Sequence, residues 1–223
     1  MSSFRSAFDF VPPVMRRAWP WLIFAVLFEE FTDWGTTAVL QKAGMDDRAM
    51  IYAVVFRILI SLLLSAVNII ILSQMMMDHF KKRLNPWTKA LSENFRDVLV
   101  ESTRVILPVM LRLLLFVIPG IIEAIRLFFV PYVAQFDAEY KAGHKDALVR
   151  SKELVQGHFW VLTLILILTG VLDIVPLGLL QSVSIARQPA LYGLLVFASA
   201  LFEVYTSAVL FCFYLKLSSK KTG

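Results

Sequence analysis

Residues 98–136 read VLVESTRVILPVMLRLLLFVIPGIIEAIRLFFVPYVAQF. Two apolar runs, Val98 to Ile118 and Ile121 to Phe136, are separated by Pro119 and Gly120. Proline has no N–H to donate and glycine tolerates positive φ, so the pair can reverse the chain in a tight turn. If that turn joins two helices that each cross a bilayer, the chain has six crossings. If it is the tip of a re-entrant loop that stops inside the membrane, there are four, since the second run is barely long enough and carries Pro131.

Four further runs flank this stretch: Ala18 to Leu40 and Met50 to Met77 before it, Phe159 to Gln181 and Leu191 to Leu215 after it. Crossing a hydrocarbon core of about 30 Å takes roughly 20 helical residues, and backbone polar groups in lipid must be satisfied internally, so each run reads as a helix. At 58% hydrophobic residues and a mean hydropathy of +0.71, the chain is too apolar for an ordinary soluble domain. The expectation is an all-α polytopic bundle of six transmembrane helices, forming one integral domain over 1–223. Arg16 and Arg17 precede a long run interrupted by acids, which reads as an uncleaved first helix.

Lys and Arg in the short connections set the orientation. One side would hold Arg5, Arg16 and Arg17, then Lys81, Lys82, Arg83, Lys89 and Arg96, then Lys141, Lys145, Arg150 and Lys152, and finally Lys216, Lys220 and Lys221. The other would hold Lys42, Arg48 and Arg187. Fifteen against three, alternating loop by loop, places both termini in the cytoplasm of an inner-membrane protein. The net charge of +5 is spent on this pattern, so no nucleic-acid partner is expected. Cys212 is the only cysteine, which excludes a disulfide framework and a cysteine zinc site.

Two cytoplasmic connections read as amphipathic interfacial helices. In the first, over 86–97, Asn85 and Pro86 supply a cap and a first-turn proline, and Trp87, Leu91, Phe95 and Leu99 recur every four residues. In the second, over 146–156, Asp146 is the cap and Gly157 the left-handed stop. Ala147, Leu148, Leu154 and Val155 fall on one face, with Arg150, Lys152 and Glu153 more exposed. Phe159 and Trp160 sit where the next span enters the interface, so the segment forms an elbow. Ser151 lies in the apolar stripe, suited to bonding a backbone carbonyl rather than to acting as a nucleophile, because no His or Asp is placed to activate it.

Pro119, Gly120, Arg126, Pro131, Asp137, Ala147, Leu148, Ser151, Leu154, Gly157 and Trp160 together resemble a known pattern. It is similar to the bacterial glycerophosphoryl diester phosphodiesterase membrane-domain family and related six-helix membrane families of unknown function. In these, a Pro-Gly turn and an Arg-bearing helix precede an AL..S..L..G..W segment; many members carry Glu where this chain has Asp137. The resemblance implies a six-helix membrane module and no agreed molecular activity. The phosphodiesterase of the family name is a fused soluble barrel, for which six spans in 223 residues leave no room.

Ionisable residues stand inside the expected spans: Glu29, Glu30, Asp33, Arg57, Arg112, Glu123, Arg126, Asp173 and Glu203. An Arg, Lys or Asp at mid-helix costs about +2.5 to +3.5 kcal/mol even on lenient insertion scales, so these groups must face one another or water. Glu29 and Glu203 fall near mid-membrane, and Asp33, Arg57, Arg112, Glu123, Arg126 and Asp173 in the outer half. Glu123 and Arg126, three apart, are expected to pair within their helix. The charges either fix helix packing or line an outer-half polar cavity for a small charged solute or lipid headgroup. A structural or assembly subunit of a membrane complex, or a homo-oligomer, is the competing class. Neither catalytic residues nor metal or cofactor are expected: His79, His144 and His158 lack ligand spacing, and there is no phosphate loop or serine elbow. The expected partners are membrane lipids and a membrane protein.

Overall fold

The computed structural model describes residues 12–14, 16–25, 28, 31, 32, 35, 36, 47–81, 87–182 and 188–220, without the side chains of 47–50, 54, 58, 62, 87, 172–182, 189 and 220. The described residues are helical with short connections and no strand. N-terminal helical residues at 12–14 and 16–25 precede α1 (Asp47–Phe80) and α2 (Trp87–Leu115). Then come α3 (Val117–Arg126), α4 (Val130–Phe136), α5 (Ala138–Lys141), α6 (Ala147–Val155), α7 (Phe159–Ser182) and α8 (Pro189–Lys220).

Hydropathy leads to six crossings; the helices divide differently. Among the described residues three helical stretches are long and apolar enough to cross a membrane: Ile51–Phe80, Val117–Phe136 and Ala190–Ser219. A fourth is possible only if Ala147–Val155 and Phe159–Val171, which meet at 94°, count as one broken span. Much of the expected first span, 18–40, lies outside the described residues. The expected amphipathic helix 86–97 and third span 98–118 are not separate. No breaker stands between Asp97 and Val98, and one 29-residue helix of about 43 Å runs through both, including Pro108. It carries Glu93, Asp97, Glu101, Arg104 and Arg112, and is not among the apolar spans.

The turn also lies elsewhere than Pro119 and Gly120. The chain breaks at Phe116, whose φ of −155° and ψ of 130° are extended. Phe116 N–H donates to Arg112 O at 2.8 Å, closing α2, and Gly120 N–H donates to Phe116 O at 3.2 Å, opening α3. Pro119 is therefore in the first turn of α3, where its missing N–H is one that a helix leaves unpaired anyway. Gly120 serves close packing instead of a turn. It is buried, and a Cβ placed on it would lie 2.7 Å from the backbone nitrogen of Leu113 on the facing helix.

α2 and α3 thus make a tight hairpin whose tip is exposed and apolar: Leu114 is 78% exposed, Phe116 70% and Ile118 72%. Past the turn at 127–129 the chain becomes buried. Phe129, Tyr132 and Phe136 of α3–α4 meet Phe211, Phe213 and Tyr214 of α8, with ring centroids 5.4–6.2 Å apart. Val14, Ala18 and Leu22 join the same core. This aromatic seam anchors the segment that carries the elbow.

Candidate functional site

The elbow is held by two aspartates that do the same double work. Asp137 caps α5, its Oδ1 accepting from the N–H groups of Glu139 at 2.9 Å and Tyr140 at 3.3 Å, while its Oδ2 receives Arg150 Nε at 3.0 Å. Asp146 caps α6, its Oδ1 accepting from Leu148 N–H at 2.9 Å, while its Oδ2 receives Arg104 Nη2 at 2.6 Å. In each case one oxygen completes a helix end and the other ties it to a distant residue. Gly157 has a φ of +86°, and Ser151, fully buried, donates to Arg126 O at 2.9 Å. Trp160 is 80% exposed at the start of α7.

Arg150 departs from its expected exposed position. Its side chain is 3% exposed, and besides Asp137 it approaches Glu153 at 3.4 Å and Glu139 at 3.6 Å. A buried guanidinium requires such partners, and two of the three, Asp137 and Glu139, come from the start of α5, which the helical pattern of α6 alone does not include. Desolvation lowers its pKa, but the bonds to these carboxylates outweigh it and the guanidinium stays charged. Lys145 bridges Glu153 at 2.9 Å and Glu139 at 3.3 Å. Its ammonium holds the Glu153 carboxyl below its ordinary range, and the two glutamates raise the lysine. Burial raises Asp146, but Arg104 and the Leu148 N–H bring it below its usual value. Desolvation beside Glu101 pushes Tyr140 up to about 12.

The residues expected to form one outer-half polar network separate into two groups. Glu123, 1% exposed, pairs with Arg112 across the hairpin and with Lys152 Nζ at 2.7 Å; its expected partner Arg126 is exposed instead. The link to Lys152 places Glu123 and Arg112 beside the elbow. Glu203 belongs to the second group: Asn68 Nδ2 donates to its Oε1 at 2.7 Å, and the Trp21 indole N–H donates to Asn68 Oδ1. Ser61, Ser65, Ser207, Asn68 and Glu203 line a cavity of about 290 Å³ between α1 and α8. Arg57 is exposed on α1. Glu29, Glu30 and Asp33 lie outside the described residues, as does the side chain of Asp173 on α7.

Hydropathy alone missed Arg104, Glu101, Asn68 and Lys152 as members of these groups. Arg104 and Glu101 carried a signal, being charges inside the expected third span. Asn68 and Lys152 carried none, because their partners lie 135 and 29 positions away.

A chain whose described residues form helices and no strand, three or four of those helices being long and apolar enough to span a bilayer, has the architecture of a multi-pass membrane protein. No family model matches it, and no curated protein or solved structure is similar to it.

Proposed function

We propose that this is a non-enzymatic multi-pass protein of the inner membrane that binds a small cation or polar solute in the cavity around Glu203. One observation carries the reading: a carboxylate oriented by Asn68, with three serine hydroxyls, lines a cavity of about 290 Å³ between two long apolar helices. Ionisable and hydroxyl groups at that depth cost insertion energy and are retained where they serve a solute or one another. Oxygen-rich linings suit hard cations and hydrogen-bonding solutes.

The same reading has cytoplasmic termini and four full crossings, the expected first span with α1, α7 and α8, while the α2–α3 hairpin enters part-way, the turn at 127–129 dividing the apolar stretch Val117–Phe136. From Arg104 and Arg126, both tied to the elbow, to the tip at Phe116 is 12 and 10 residues. At 1.5 Å per residue this is about 18 and 15 Å, roughly half the hydrocarbon thickness.

The test is the melting temperature of the full chain in mild detergent, titrated with Na⁺, K⁺ or ammonium against choline as a bulky control. Saturable stabilisation by one of the small ions, abolished in Glu203→Gln, is expected. Identical melting in all four salts would sink the cation reading, and a stabilising ion whose effect survives Glu203→Gln would move the site elsewhere.

A further inference from the structure

Arg126 is a charged residue of the elbow that the described neighbours leave uncompensated. Arg104 pairs with Glu101 and Asp146, Arg150 with Asp137, and Lys145 with Glu139 and Glu153. Arg112 and Lys152 share the single carboxylate of Glu123. The Arg126 guanidinium, exposed at the C-terminal end of α3, has no ion-pair partner among the described residues. Three cations therefore stand against one carboxylate here.

Arg126 and Lys152 face a groove of about 420 Å³ lined also by Val149, Val155, Gln156, Gly157 and Phe159. Glu153 also borders it, but that carboxylate is taken by Lys145 at 2.9 Å and Arg150 at 3.4 Å. Phe159 begins α7, so the groove ends at the N-terminus of a 24-residue helix, whose free N–H groups and dipole favour an anion. The neighbouring Trp160, almost fully exposed where α7 begins, marks the depth of the lipid headgroups.

We propose that this groove binds the phosphate of an anionic phospholipid from the cytoplasmic leaflet. Arg126 grips the phosphate oxygens in its planar fork, Lys152 adds a second charge while holding Glu123, and Val149, Val155 and Phe159 receive the upper acyl chain. Guanidinium geometry matches a phosphodiester, and a basic pocket between membrane helices at headgroup depth is suited to such lipids. The site is independent of the Glu203 cavity, and either can fail without the other.

The full chain in detergent is titrated with phosphatidylglycerol, and in parallel with phosphatidylcholine of the same acyl chains, and bound lipid is counted by native mass spectrometry. Wild type is expected to prefer phosphatidylglycerol, Arg126→Gln to lose about fivefold of that preference, and Arg126→Lys to keep most of it. Val149→Glu changes a wall residue whose apolar side chain is exposed, so it tests the groove even if Arg126→Gln fails to fold; the same loss is expected. No preference in wild type, or an unchanged preference in both Arg126→Gln and Val149→Glu, overturns the assignment. Inorganic phosphate separates the sources: if it binds at this site in the absence of lipid and displaces the lipid at millimolar concentration, the ligand is a free anion and the lipid assignment fails.

Discussion

Arg104 Nη2 lies 2.6 Å from Asp146 Oδ2, so the residue that caps the elbow helix also clamps it to α2, 42 positions earlier in the chain. Both side chains are more than a third exposed, which keeps the ion pair modest, about 0–1 kcal/mol, while the cap is worth about 0.5–2 kcal/mol. Asp146→Asn, which preserves the capping oxygen, is expected to destabilise less than Asp146→Ala in thermal unfolding. In a double-mutant cycle, Arg104→Ala should couple to Asp146→Asn and to no comparable extent with Lys89→Ala.

Arg150 is buried where Arg104 is not. Removing one partner of a buried, hydrogen-bonded pair leaves the other uncompensated, a loss of about 3–5 kcal/mol. Arg150→Met should therefore unfold the elbow at far lower temperature than Lys145→Met, although both remove one charge that touches Glu139 and Glu153. Equal melting temperatures for the two variants would contradict the buried pair.

The acid response follows from Asp146 and Glu153, which are held below their ordinary values of 3.8 and 4.5. A carboxyl whose pKa is depressed by folding binds fewer protons in the native state, so its stabilisation is complete above the unfolded value and is lost as pH falls through the folded one. The elbow is expected to hold constant stability from pH 7 to about 5 and to weaken below about 4. Chemical denaturation followed by Trp fluorescence across that range checks this, and Asp146→Asn should flatten part of the slope.

Gly120 touches Leu113 across the hairpin with no room for a methyl group. Gly120→Ala should force the two arms apart and cost about 1–3 kcal/mol, the usual range for overpacking. Gly143→Ala, in open space but at a φ of +73°, should cost less by strain alone. The comparison reads out as two melting temperatures.

Phe116 at the hairpin tip reports the depth of the hairpin. With Cys212 replaced by Ser, Phe116→Cys in sealed vesicles is expected to resist membrane-impermeant maleimide from both sides and to react after detergent. Labelling from the outer side of intact vesicles would establish a full crossing.

Much of this protein is local. The helical, membrane-spanning character follows from apolar runs long enough to bury every backbone bond within one segment, and the Asp146 cap and the Gly157 stop follow from side chains acting on their own backbone. The sites of the breaks were less legible. Pro119 reads as a turn because it lacks a donor, but the first turn of a helix does not need that donor, and the break at Phe116 depends on how closely Leu113 and Gly120 pack.

What the sequence by itself determined is that the long apolar runs are helical, that Asp146 caps α6 and that Gly157 follows its end in a left-handed conformation, because those properties rest on neighbours within one turn. Only the tertiary structure decided how the charges are shared: Glu123 with Arg112 and Lys152, Arg150 with Asp137, Glu203 with Asn68. Local periodicity assigns Arg150 to an exposed face of α6 and makes Glu123 a partner of Arg126, three positions away. A buried charge takes whichever opposite or hydrogen-bonding group the packing of separate helices brings within reach, and that choice is not encoded in the spacing along any one of them.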